Sequence, residues 1–362
     1  MKVCIIGAGL TSLTLAKVLV NQNIYVDVYT EKKNENLSKS RTLGISKSNI
    51  DFFKKNIIDI KKIIWKLKKI EIFSDNLKNE KILNFEDNDQ LFSVVKNFKL
   101  YKILENSLKK NKYFKKIVKN LNFNITNKYD FIINTDNLNV ITKKLFTKKI
   151  IKEYNSFAYT TVIKHRKILN DTAVQIFTKK GPLAFLPISE NETSIVYSLN
   201  QLRNKNNENL EELIREYNFK YKIQSINKIE FFELKFLNLR SYYNNNVLAF
   251  GDLLHRIHPL AGQGFNMTIR DIKILSSIII EKKKLGLPLD KFIFSEFEKK
   301  SKSINFIFSN GIDLVNEFFN FERKTNNSFL SKSVQLIGKN RSINKIFTKI
   351  ADEGIYFKNK FY

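Results

Sequence analysis

The chain has 362 residues, 43% of them hydrophobic, enough for one large or two medium domains with a buried core. Its 63 Lys and Arg against 35 Asp and Glu give a net charge of +28, yet the lysines are dispersed, and no RNA-module signature or zinc-finger spacing accompanies them, so nucleic acid is not an expected partner. One cysteine, Cys4, excludes an internal disulfide, and with only three histidines (His165, His255 and His258) no metal centre is expected.

The N-terminus reads KVCIIGAGLTSLTLAKVLVNQNIYVDVYTEKK. Met1 is followed at once by Lys2 and a short apolar run with no small-residue cleavage site, which predicts a chain without a cleaved signal peptide. Val3 to Ile6 have the character of a buried parallel strand, and Leu10, Leu13, Ala16, Val18 and Leu19 that of a helix packed on a sheet. Val26 to Tyr29 supply a second strand, closed by Glu31. The first turn is thus GxGxxS within a β-α-β unit. Gly7 permits the turn, Gly9 lets the backbone approach a pyrophosphate at the helix N-terminus, and Ser12 stands where a third glycine would allow close helix packing. Glu31 is placed to accept a ribose hydroxyl. The pattern predicts dinucleotide binding.

Arg41 follows in SRTLGIS, as a cation for a phosphate or ribose or as a solvated side chain. Residues 67–93 read as strands broken by polar turns. A helix follows, with Leu100, Ile103, Leu104 and Leu108 on one face, and then a buried strand ending at Asp136. From 155 to 200 several short strands with turn signals indicate an antiparallel sheet. A helix over 208–217 precedes VLAFGD at 247–252, which returns to the apolar-strand style of the N-terminus. From 269 onward the chain reads as mostly helical. Ile343, Ile346, Phe347 and Ile350 mark a late amphipathic helix. The longest apolar runs, such as SSIII at 276–280, fall far short of a membrane span.

The densest signal is GDLLHRIHPLAGQGFNMTIRD, residues 251–271, which holds three of the chain's 11 glycines and one of its 4 prolines. Asp252 ends a strand, where a carboxylate can hold a ribose or ribityl hydroxyl. Pro259 shapes the loop. Gly262, Gln263 and Gly264 open a helix whose backbone N–H groups can approach a flavin and its pyrophosphate, and Asn266 can add a polar contact one turn in.

This stretch resembles the GD(x)6PxxGQGxN motif of the flavin-dependent aromatic hydroxylases, the para-hydroxybenzoate hydroxylase-like group. Within that group HPLAGQGFN and TAVQIFTKKGPLAFLPISENETSIVYSL look most like the ubiquinone-biosynthesis hydroxylases. Asp136-Asn137 with Lys143, and Asn97-Phe98, stand where the family usually has Asp-Gly with arginine, and Asn-Arg. The resemblance implies an α/β fold: a discontinuous Rossmann-like FAD-binding domain (1–66, 94–150 and 240–300), an α+β substrate domain built on an antiparallel sheet (67–93 and 151–239), and a helical C-terminal region (301–362). It implies FAD as cofactor, NAD(P)H as co-substrate, and oxygen transfer through a flavin hydroperoxide to the ring of a prenylated phenol in ubiquinone biosynthesis. A non-catalytic FAD-binding member of a biosynthetic assembly, or a different FAD-dependent oxidoreductase, is the alternative. His165 falls where the family often has a histidine, as a general base or as a buried structural group. Phe185, Pro187 and Tyr197 are substrate-side candidates or ordinary sheet core. A lipid-soluble substrate implies a cytoplasmic protein working at the inner face of a membrane, with the basic surface aiding peripheral contact.

Overall fold

A computed structural model describes residues 2–31, 37–77, 80–119, 125, 128–200, 209–325 and 328–354. In chain order the first part holds β1 (Lys2–Ile6), α1 (Leu10–Asn21), β2 (Tyr25–Thr30), β3 (Thr42–Ser46), α2 (Lys47–Phe52), β4 (Ile64–Leu67), β5 (Lys69–Ser74), β6 (Lys81–Glu86), β7 (Phe92–Lys96), α3 (Asn97–Lys109), β8 (Phe114–Val118), β9 (Phe131–Asn134) and α4 (Val140–Leu145). The second part holds β10 (Lys149–His165), β11 (Thr172–Phe177), β12 (Pro182–Pro187), β13 (Glu192–Asn200), α5 (Leu210–Glu216), β14 (Ile223–Ile226), β15 (Glu230–Leu239), β16 (Tyr243–Asn244), β17 (Val247–Ala249), β18 (His255–Arg256), α6 (Gln263–Lys284), α7 (Phe292–Thr325), α8 (Phe329–Gly338) and α9 (Arg341–Glu353).

Val3, Cys4, Ile5 and Ile6 of β1 are all fully buried, as a central strand of a sheet covered on both faces must be. That sheet has the order β16-β17-β9-β1-β2-β8, parallel except for the β16–β17 pair. Its strands therefore come from three separated stretches of chain, united by one core that includes Leu13 and Leu19 of α1, Leu104 of α3, Leu275 of α6 and Phe297 of α7.

The second sheet runs β18-β15-β10-β13-β12-β11-β5-β6, with β14 also on β10. Its backbone is β10, which carries a bulge between Glu153 and Ser156, where Asn155 takes φ +49°. A small third sheet has the order β3-β7-β4. The stretch 67–93, read as one unit, is thus divided: β5 and β6 join the large sheet, whereas β7 pairs with β3. The chain changes sheets at Lys68, whose N–H donates to the Asp171 carbonyl at 2.8 Å. No helix among the described residues is long and apolar enough to cross a membrane.

Candidate functional site

Both glycine-rich turns lie at the carboxyl edge of the parallel sheet, where open α/β sheets bind ligands. Gly7 follows β1 with φ +100°, and a Cβ there would stand 2.6 Å from the Thr135 hydroxyl, so the turn requires glycine. Ser12 fits in place of the third glycine because its hydroxyl makes a 2.6 Å hydrogen bond with that same Thr135 hydroxyl. Helix α1 opens at Gly9 with no side-chain cap and no acid in its first turn, which leaves its first N–H groups to an anion. A Cβ added to Gly9 would meet nothing within 4 Å. Gly251, at φ +64°, would place a Cβ 2.7 Å from Thr11 of α1, so the two turns, about 240 residues apart in the chain, touch. Asp252 beside it is exposed, as is Glu31 directly after β2. An uncapped helix N-terminus with carboxylates on neighbouring strand ends fits the pyrophosphate and hydroxyls of a dinucleotide.

The second half of the cradle is α6. Gly262 at its N-terminus is left-handed (φ +62°), and a Cβ there would approach Gly44 Cα to 3.4 Å. At Gly264 an added Cβ would lie 3.9 Å from Ile257, an ordinary contact, so this glycine answers no internal demand. Pro259, half-buried, precedes the turn.

The sequence lets Asn266 add a polar contact to a cofactor, but its amide is fully engaged within the protein. It donates to the carbonyls of Gly44 and Gly262 (3.1 Å each) and accepts from the Ser46 N–H (3.0 Å) and Asn49 Nδ2 (2.9 Å). It therefore positions the loop, pinning β3 against α6. Gln263 is buried, and its Oε1 accepts from Arg270 at 3.4 Å. Arg270 also donates to the carbonyl of Ala351 (2.9 Å). Ser46 and Ser48 hydroxyls donate to the Asp352 carbonyl, and the Ser48 N–H to its carboxylate, each at 2.8 Å. The end of α9 is thus strapped across β3, α2 and α6. Burial, with the Arg270 cation beside it, pulls the neighbouring Lys273 ammonium down to about 8.

Motif patterns in the sequence do not mark Arg270, Thr11, Gly44 or Asp352 as site residues. The seven-residue spacing of Gln263 and Arg270, two helical turns on one face, is the signal that finds Arg270. Behind the loop His255 Nε2 meets Asp271 at 2.6 Å, and Asn305 of α7 donates to the same carboxylate at 2.8 Å. The His258 ring stands edge-on to Tyr154, 5.3 Å between centroids, and burial holds its imidazole down at about 3.

The large sheet offers one face to this cradle. Thr160 and Ser194 meet Ser40 and Thr42 through hydroxyl pairs of 3.0 and 2.9 Å, and Arg41 stacks on Phe232, 4.7 Å from its ring centroid. Register places Ala158, Ala184, Val196 and Ser198 on this same face. The substrate-side candidates lie on the other. Phe185 and Tyr197 are buried in the cluster covered by Leu213 and Ile214 of α5, and the Tyr197 hydroxyl pairs with Thr178 at 2.9 Å. Pro187, two residues beyond Phe185, shares that orientation. His165 is there too: its ring nitrogens pair with the Arg166 carbonyl (2.8 Å) and the Thr193 hydroxyl (3.0 Å), beside Tyr221. With both nitrogens occupied and the ring buried, His165 is a structural histidine rather than a general base.

Comparison with known proteins supports an FAD-binding fold. A family model described as an FAD binding domain matches residues 116–284. Among solved structures, p-nitrophenol 4-monooxygenase PnpA from Pseudomonas putida DLL-E4 superposes with a TM-score of 0.75 over 98% of both chains at 14% identity. Klebsiella pneumoniae HpxO, complexed with FAD and uric acid, gives 0.73 over 98% of this chain and 97% of that one at 12% identity. The fold is that of the FAD-binding monooxygenases of the para-hydroxybenzoate hydroxylase kind.

Similar sequences include ubiquinone hydroxylases. The 3-demethoxyubiquinol 3-hydroxylase of Escherichia coli (strain K12) is 30% identical over 152 residues, 40% of this chain and 39% of that protein. The mitochondrial ubiquinone biosynthesis monooxygenase COQ6 of Dictyostelium discoideum is 24% identical over 93% of this chain and 87% of its own. The chain spans about two fifths of the length of the first curated relatives it matches.

Proposed function

We propose that the protein is an FAD-dependent monooxygenase that hydroxylates the aromatic ring of a prenylated phenol in ubiquinone biosynthesis, with NAD(P)H as electron donor. The observation that carries this reading is the meeting of two glycine turns, at Gly7–Gly9 and Gly251–Gly264, at the carboxyl edge of one parallel sheet. Similarity to ubiquinone hydroxylases supports the substrate class.

In this reading the N–H groups at the start of α1 hold the pyrophosphate, Glu31 and Asp252 hold sugar and ribityl hydroxyls, and Arg41 lends a cation. The loop from Pro259 to Gly264 borders the flavin, its backbone held by Asn266 and by Arg270 through Gln263. When bound, FAD supplies electron transfer and oxygen activation. The chain's own task is to bind, to orient and to exclude water. Ala158, Thr160, Ala184, Ser194 and Val196, all small or β-branched, share the cradle side of the sheet.

The test supplies purified protein with FAD, a reduced nicotinamide and a short-tailed prenylphenol under labelled oxygen. One labelled atom in the ring is the expected result. Flavin that turns over without ring product, together with normal ubiquinone in cells carrying a flavin-free variant, would instead assign a non-catalytic role.

A further inference from the structure

A cleft of about 550 Å³ opens between the ends of β10 and β15 and helix α7, lined mainly by Ile150, Leu239, Arg240, Tyr242, Phe306 and Ile307. That volume is within the roughly 300–1,000 Å³ of small-molecule sites. None of these residues takes part in the nucleotide cradle. Leu239 and Tyr242 form a buried floor, while Ile150, Phe306 and Ile307 expose 38%, 49% and 42% of their surface. Three large apolar side chains left open around one cleft call for a hydrophobic occupant.

Phe306, Ile307 and Leu314 recur at helical spacing on α7, and Leu314 is 70% exposed. Charge then selects the head group. Lys302 is neutralised by Glu298 at 2.7 Å, whereas the exposed Arg240 guanidinium has no hydrogen bond or ion pair among the described residues. No acid lines the cleft.

We infer that this cleft binds a single-chain anionic amphiphile, its hydrocarbon tail on Ile150, Phe306 and Ile307 and its phosphate or carboxylate head on Arg240. Such a ligand is either free in solution or one chain of an anionic bilayer lipid.

Calorimetric titration of the purified full-length chain with dodecyl phosphate, below its micelle concentration, tests the site. One saturable site is expected. Arg240→Gln should weaken binding about tenfold or more, because a charge-assisted hydrogen bond is lost. Dodecanol should bind more weakly by a similar factor, inorganic phosphate should not compete, and Ser303→Trp, at an exposed position, should fill the cleft and abolish binding. Unchanged affinity in Ser303→Trp, or equal affinity for dodecanol and dodecyl phosphate, overturns the assignment. If the Trp variant fails to fold, the Arg240→Gln comparison decides alone. Flotation with phosphatidylcholine vesicles containing phosphatidylglycerol identifies the source: binding lost in Arg240→Gln assigns a bilayer lipid, and dodecyl phosphate binding without flotation assigns a free amphiphile.

Discussion

Replacing Asn266 with alanine removes a fully buried amide that satisfies four partners at 2.9–3.1 Å. Each such hydrogen bond contributes a net of about 0.5–1.5 kcal/mol, and each buried group left without a partner costs about 1–3 kcal/mol. The four share one loop and do not add, so the expected loss is about 3–5 kcal/mol, a large fraction of the roughly 5–15 kcal/mol that holds a typical domain together. Asn266→Asp should not rescue it, since a buried carboxylate would face the Gly44 and Gly262 carbonyls. Asn310→Ala is the control: its amide reaches only the Phe306 carbonyl, in an exposed setting, and should change stability by less than about 0.5 kcal/mol. Urea unfolding of flavin-free protein measures the loss, and flavin retained through gel filtration reports the slackened contact between Gly262 and Gly44. A loss under about 1 kcal/mol with flavin retention intact would refute the clamp.

Gly9→Ala should leave the unfolding midpoint almost unchanged, because the added Cβ meets no protein atom, but should lower flavin affinity; equal flavin occupancy would remove Gly9 from the cradle. Gly181→Ala is the opposite case: at φ +154°, with a Cβ only 1.8 Å from the Ser198 carbonyl oxygen, it should cost at least about 2 kcal/mol in denaturant titrations. His258, held neutral by burial and by the Arg323 charge, has its native pKa near 3 against an ordinary value of about 6.5. The unfolded chain therefore takes up a proton that the native state refuses, and stability should fall as pH drops from about 6.5 toward 3, by up to about 1.4 kcal/mol per unit. His258→Phe should flatten that slope, and identical slopes in the two proteins would show that burial of His258 is not its source.

The parts legible in the sequence are those in which local pattern and tertiary role coincide. The apolar run Val3–Ile6 followed by Gly7 and Gly9 can be read because turn chemistry is local, and the glycine density of 251–264 for the same reason. Strand β8 does not read as a strand because FKKIV is a sheet edge, where an exposed Lys115 and a Lys116 paired with Glu105 replace the apolar run of a central strand. Phe185 and Tyr197 show why alternation alone misleads: a period of two defines two faces, and only the packing of α5 decides which one is covered. Asn266 sits one turn inside a cofactor-binding motif, yet its four partners come from backbone and side chains as far away as Gly44 and Ser46, contacts that no local spacing encodes.

The strap formed by Ala351 and Asp352 has a consequence for biogenesis. It reaches back about 300 residues to Ser46 and Ser48, and to Arg270 in the helix that opens with the glycine loop. During synthesis β1, α1 and β3 emerge early, but the parallel sheet waits for β17, and the loop next to α6 waits for α9. Contacts of such sequence separation are slow to form. The nascent chain therefore carries an unfinished loop until α9 has left the ribosome. A chain ending after Gly338 would keep the glycine turns at 7–9 and 251–264 and lack the latch that Ala351 and Asp352 provide.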